Sequence, residues 1–363
     1  MSKIWANSGD SHLLEPEDLW YQVLPKRLAD RTPRTVTEGN EQITYIGDEV
    51  MSRTIPSPRR QKWNELFRPP GAFKTDTRLI DLDGQGIHGE ICFPSAGFFT
   101  SNVNDVDLAR EMAKGWNDWA KADVMDASGG RLFPTAIISV YDTADAVAEL
   151  QRAAGMGFKV VYLPTTPPAD RQYNSEGWEP LWGAADEAGI VPAFHIGTGI
   201  EPVQFRGAGG AVINYVETAL PGIRTLTMLV ASGALDRHPE MKVLVAEGGG
   251  SWIPAMADRM TEAYRQHSLF VKPTLSQLPK EIVYRQVYTS FQHDESAIPT
   301  VMHLGYKNML WGSDYPHVEG TFPETQKVLH ELFDDVPDAT RRLITVDAFN
   351  RLLGVDLQPP IGD

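Results

Sequence analysis

Short apolar runs alternate with stretches of helical periodicity along nearly the whole chain. The runs fall at 3–6, 89–93, 131–140, 158–163, 190–196, 242–246, 283–290 and 308–312. Several are apolar on consecutive residues, as a strand covered on both faces must be. Between them lie amphipathic patterns. Residues 105–127 place Val106, Ala109, Ala113, Trp116, Ala120 and Val124 close to a 3.6 period. Residues 143–154, 178–188, 223–235, 252–267, 296–303 and 323–333 follow the same logic. Eight strands alternating with helices predict an α/β protein, a parallel (β/α)8 TIM barrel; a doubly wound open sheet is the alternative.

One stretch breaks the alternation. Residues 34–52 read as two strands around Glu38-Gly39-Asn40-Glu41, a hairpin signal. A Pro- and Arg-rich loop, 55–70, follows. Residues 31–77 are therefore expected to form a β-hairpin/loop insertion after the first strand, capping the barrel mouth. Residues 338–353 suggest a closing helix and 358–363 a loose end. With no linker and no repeat beyond the strand–helix alternation, the chain reads as one domain, 1–363.

Composition narrows the function. The 363 residues carry a formal net charge of −15, with 42% hydrophobic and 22% charged residues. Such a chain lacks the basic footprint that nucleic acid requires and has no apolar run long enough to span a bilayer. Neither nucleic acid nor membrane is an expected partner. The single cysteine, Cys92, lies in an apolar run and permits no internal disulfide. The N-terminus has no signal-peptide pattern. The expected location is cytoplasmic.

Barrel enzymes carry their chemistry at the C-terminal ends of the strands. Asp10-Ser11-His12 follows the first run, His195 ends the fifth, and Glu247 follows the sixth. His293 lies after the seventh, and Asp314 with His317 after the eighth. An acid-x-His pair on extended chain points both side chains to one side. Imidazole nitrogen with carboxylate oxygen suits zinc, manganese or iron. Arg53, Arg59 and Arg60 in the insertion would bind a substrate carboxylate if folded over the mouth, though a solvated loop explains them as well. Lys159 starts its strand, so its ammonium should point away from the mouth.

The motifs Asp10-Ser11-His12-Leu13-Leu14-Glu15-Pro16, Phe194-His195, Glu247-Gly248-Gly249 with Trp252, and Trp311-Gly312-Ser313-Asp314-Tyr315-Pro316 resemble the amidohydrolase-related family. More narrowly, the chain is similar to the branch of aminocarboxymuconate-semialdehyde decarboxylase and γ-resorcylate decarboxylase. The resemblance implies one divalent metal ion, zinc first and manganese second, ligated by Asp10, His12, His195 and Asp314. It implies a small organic acid as substrate and a homo-oligomer. That branch has a histidine where this chain has Glu247. Glu247 is then either the acid/base or a group that orients a ligand. Asp314 and His293 are further catalytic candidates, and Arg53, Arg59 and His317 candidates for binding substrate. Hydrolysis and non-oxidative decarboxylation both stay open. So does a barrel that keeps the pocket to bind metal or ligand without turnover.

Overall fold

The computed structural model describes residues 2–199 and 205–360. Twelve strands form two sheets: β1 (Ala6–Ser8), β2 (His12–Leu13), β3 (Arg34–Glu38), β4 (Glu41–Ile46), β5 (Glu49–Thr54), β6 (Ile87–Pro94), β7 (Leu132–Ile137), β8 (Val160–Thr166), β9 (Val191–Gly199), β10 (Val243–Ala246), β11 (Val287–Phe291) and β12 (Met309–Trp311). The large sheet runs β1-β6-β7-β8-β9-β10-β11-β12, with every pair parallel, and β2 extends β1's side of β6. The expected barrel is what the chain builds.

The seam between β12 and β1 closes through backbone bonds beyond the strands themselves. Gly9 N donates to Trp311 O (2.8 Å), Asp314 N to Asp10 O (3.0 Å) and His12 N to Tyr315 O (2.6 Å). Gly9 and Gly312 permit this approach, since a Cβ on Gly312 would lie 2.9 Å from Asp10 Cβ and one on Gly9 2.7 Å from Leu310 Cβ. The two segments richest in ligand-type residues thus lie edge to edge.

All seven residues of β8 are buried, which explains its unbroken apolar run. Helices cover the outside. Val106–Trp119 starts where the Asp105 carboxylate accepts from the amides of Asp107 and Leu108, and buries Leu108, Met112 and Trp116. Thr143–Gly155 is capped likewise by Asp142. Glu179–Ala188 stops at Gly189, whose φ of 62° suits glycine. Among the described residues no helix is long and apolar enough to cross a membrane.

Several boundaries differ from those the pattern predicts. The first strand begins at Ala6, not Lys3. Residues 283–286 finish the helix Pro279–Gln286 before β11 begins. The 223–235 pattern divides into Leu220–Ala231 and Ala234–Arg237, separated by left-handed Gly233. The insertion is a three-stranded antiparallel meander, because a second turn at left-handed Gly47 adds β5. The expected loop 55–70 contains the helix Pro58–Phe67, started by a Ser57 cap and a proline in its first turn. The meander meets the stretch after β6. Glu49 accepts from the Asn104 amide (2.9 Å), and Arg31 pairs with Asp105. Of the expected loose end, 361–363 lie outside the described residues.

Candidate metal centre

Six side chains from four strand ends converge at the mouth. His12 Nε2 lies 3.1 Å from His195 Nε2, 3.3 Å from Asp314 Oδ1 and 4.0 Å from Asp10 Oδ1. His195 Nε2 is 3.6 Å from both Asp10 Oδ1 and Glu247 Oε2. His317 Nδ1 is 3.0 Å from Asp314 Oδ1, and its ring stacks on that of His12 with centroids 3.9 Å apart. Three overlapping triads have ligand atoms close enough to share an ion: Asp10-His12-His195, His12-Asp314-His317 and Asp10-Glu247-Asp314.

The hydrogen bonds decide what these atoms offer. His12 Nδ1 lies 3.3 Å from Pro94 O, and His195 Nδ1 2.8 Å from Ile196 O. A carbonyl only accepts, so each Nδ1 carries the proton and each Nε2 presents a lone pair. Two lone pairs facing each other at 3.1 Å cannot bond to one another. Nor do Asp10 Oδ1 and both carboxylate oxygens of Asp314 accept a well-aligned hydrogen bond, although all three atoms are buried. Buried acceptors without donors are costly. A divalent cation would satisfy all of them, so the residues fit a metal. Backbone carbonyls fixing the ring tautomer are the usual support for metal-binding histidines.

Electrostatics agree. Burial, with His317 nearby, pushes His12 down to about 3, so it is neutral near pH 7. Burial raises the Asp10 carboxyl, though His195 opposes the shift. Burial and the Asp314 and Asp10 carboxylates push Glu247 well up. Burial opposes charge on Asp314, but His317, 3.0 Å away, outweighs it and holds Asp314 below the ordinary range. Burial likewise opposes charge on His317, and Asp314 more than offsets it, raising His317.

Glu247 and Asp314 share a further property: they are the two non-glycine residues with positive φ among those described, at 58° and 52°. Left-handed backbone at a residue with a side chain costs about 1–2 kcal/mol and is held where the surroundings over-determine it. Ser290 Oγ accepts from the Glu247 amide (2.8 Å) and reaches Asp10 Oδ2 at 3.4 Å. Trp252 Nε1 donates to Gly248 O (2.7 Å), fixing the glycine turn.

Other expected site residues stand apart. His293 is exposed, with Nε2 3.2 Å from Glu319 O, and belongs to none of the triads. Arg53 is 54% exposed and pairs with Glu41 across the meander (3.4 Å). Arg59 and Arg60 are exposed on the helix Pro58–Phe67. Lys159 immediately precedes β8, at the end opposite the mouth.

Pattern reading missed three supports. Ser290 is one. Glu15 is another, and is buried. Its carboxylate accepts from the amides of Ser95 (3.1 Å), Ala96 (2.8 Å) and Gly97 (2.8 Å) and from Trp116 Nε1 (3.1 Å). It fixes the loop carrying Phe98, whose ring centroid lies 4.8 Å from His195 and 5.6 Å from His12. The third is Arg78, which donates to His12 O (2.8 Å) from a wholly buried position. All three act on backbone or neighbouring groups, which residue type and spacing do not reveal.

The amidohydrolase family profile matches residues 67–355, most of the chain. The chain belongs to the amidohydrolase family. As a member it is an enzyme. The fold is similar to that of an amidohydrolase from Mycobacterium avium subsp. paratuberculosis K-10, with TM-score 0.76 and 19% identity over 96% of this chain and 99% of that one. It is similar to 2,6-dihydroxybenzoate decarboxylase from Rhizobium (TM-score 0.69, 17% identity, 96% and 98% covered). A 5-carboxyvanillate decarboxylase from Novosphingobium aromaticivorans, solved with bound manganese and 3-methoxy-4-hydroxy-5-nitrobenzoic acid, is similar at TM-score 0.70 and 16% identity over 97% of both chains. No curated protein sequence matches the chain. γ-Resorcylate is 2,6-dihydroxybenzoate, so the branch resembled in sequence motifs is represented among these folds.

Proposed function

We propose that the chain is a metal-dependent carboxy-lyase for a small organic acid. We further propose that Asp10, His12, His195 and Asp314 hold the metal and that Glu247 moves the proton. The observation that carries this reading is the convergence of two lone-pair imidazoles on the buried Asp10 and Asp314 carboxylates. Similarity in fold to decarboxylases favours carbon–carbon cleavage over hydrolysis.

A divalent ion held there supplies a Lewis acid for a substrate oxygen. His12 and His195, fixed by Pro94 and Ile196, keep their ring orientation. Asp10 and Asp314 neutralise the ion's charge. Phe98 and Phe93 pack on the imidazoles and limit water at that side. In decarboxylation the bond from carbon to the carboxyl group breaks and carbon dioxide leaves. The electron pair stays on the carbon, which takes a proton. Glu247, 3.6 Å from His195, is placed to deliver that proton. His317, stacked on His12, borders the same space and is the best-supported candidate for contacting substrate. The meander's place beside the stretch after β6 supports its reading as a cap, though Arg53 faces solvent.

Two carboxylates and two imidazoles as ligands suit manganese as well as the zinc expected first. Exposed Val212, Tyr215 and Val216 on one helix, with Leu269 and Phe270 elsewhere, support a homo-oligomer. The single buried cysteine suits a reducing cytoplasm. The test is elemental analysis of purified protein, followed by assays of carbon dioxide release from hydroxybenzoate acids and of ester or amide hydrolysis. About one metal per chain with carbon dioxide release is expected. Hydrolysis alone, or no metal, would overturn the reading.

A further inference from the structure

Asp10, His12 and Asp314 lie on two turns that meet where the barrel closes, and one buried cation touches both. Arg78 lies on the helix Thr75–Gln85 and is 0% exposed. Its Nε donates to the Glu90 carboxylate, which is equally buried on β6. Its Nη1 donates to His12 O (2.8 Å). Its guanidinium carbon lies 4.8 Å above the centroid of the Tyr315 ring. Tyr315 directly follows Asp314, and its hydroxyl donates to Asp81 (2.7 Å), three residues along from Arg78 on the same helix. The His12 amide in turn donates to Tyr315 O (2.6 Å).

We infer that Arg78 is a positioning residue for the metal centre. It holds the spacing between His12 and Asp314 through the His12 carbonyl and the Tyr315 ring, and thereby sets affinity for the divalent ion. The inference rests on the ligand assignment proposed above. Arg78 makes no contact with a ligand atom. A mere counter-ion for Glu90 would account for the ion pair. It would not account for the bond to His12 O or for the face laid on Tyr315. The planar fork of a guanidinium can serve three partners in three directions; an ammonium on a flexible stem cannot.

The experiment compares wild type with two variants, Arg78→Lys and the double variant Arg78→Met with Glu90→Gln. The second removes both charges, so neither is left buried and unpaired. Manganese(II) affinity is measured by chelator competition, the stability of metal-free protein by denaturant unfolding, and ligand geometry by the visible spectrum of the cobalt(II)-loaded protein. Supports of metal ligands are worth about 10–100-fold in affinity. Arg78→Lys is expected to bind manganese at least about tenfold more weakly. The double variant should regain stability close to wild type, yet keep the weakened affinity and show an altered cobalt spectrum. Wild-type affinity and spectrum in the double variant would overturn the inference. If the double variant does not fold, wild-type affinity in Arg78→Lys would overturn it alone. A wild-type protein that takes up neither ion fails the ligand assignment instead, and this inference with it.

Discussion

The seam where β12 meets β1 and the inserted meander are built in opposite ways from similar residues. At the seam, Asp10, His12, Arg78, Glu90 and Asp314 are all buried and lie against fixed neighbours. In the meander, Arg53 and Glu41 form a comparable pair with both side chains in solvent. The first arrangement sets charges against one another in a low dielectric, where their interactions are strengthened. The second is worth little, because water screens the attraction and the side chains lose entropy in meeting. The same chemical letters therefore mean different things in the two places.

The largest effect should come from emptying the seam. A His12→Ala, His195→Ala double variant should fall from about one metal per chain to almost none by elemental analysis. Its rate should drop at least about a thousandfold, since metal polarisation is worth several kcal/mol. Full metal loading in that variant would remove the basis for the comparison.

Glu247→Gln comes next. It keeps the shape and removes the titration, so metal content should hold while the rate falls by about 10²–10⁴-fold. Burial and the Asp314 and Asp10 carboxylates push Glu247 up, and a bound cation would lower it again. As a proton donor it acts in the protonated form, so wild-type activity should fall as pH rises through its pKa. That limb should be missing in the variant. A variant that loses its metal would make Glu247 a ligand.

Glu15→Gln should act on the fold more than on the chemistry. An amide nitrogen would take the place of one carboxylate oxygen: at Oε2 it would face the Ala96 N–H, and at Oε1 the N–H groups of Ser95, Gly97 and Trp116. Hydrogen bonds to a charged group contribute about 1.5–3 kcal/mol each, and a loss of about 2 kcal/mol in denaturant unfolding is expected. Stability equal to wild type would mean that the Ser95–Phe99 loop is held by other contacts.

The smallest effect belongs to the meander and the helix Pro58–Phe67 that follows it. Arg53→Ala and Arg59→Ala should change stability by less than about 1 kcal/mol and leave KM within about threefold, an interaction difference under 1 kcal/mol. A KM raised tenfold or more would put these arginines over the substrate after all, and the contrast between the two regions would narrow.

Much of the barrel was legible because strands buried on both faces leave continuous apolar runs, as in β8. The residues that converge at the mouth were legible as candidates because acid and imidazole residues recur at strand ends. Boundaries were harder. Lys3, Ile4 and Trp5 read as strand, but Ile4 N bonds to the Gln326 side chain (2.9 Å), not to β6. The helix Pro58–Phe67 has no apolar stripe, so periodicity missed it, although Ser57-Pro58 carried a capping signal. Arg78 sits in Thr77-Arg78-Leu79-Ile80-Asp81, which reads like an ordinary solvated helix. Its burial depends on Glu90, Tyr315 and the His12 carbonyl arriving from elsewhere in the chain, and no local pattern contains that information.

The left-handed turns at Glu247 and Asp314 imply that selection for activity and selection for durability pull against each other at two defined positions. Glycine adopts that backbone freely, so Glu247→Gly should make the metal-free barrel about 1 kcal/mol more resistant to denaturant while ending turnover. A library screened only for heat tolerance would drift toward glycine there. It would return robust barrels that have forgotten their reaction.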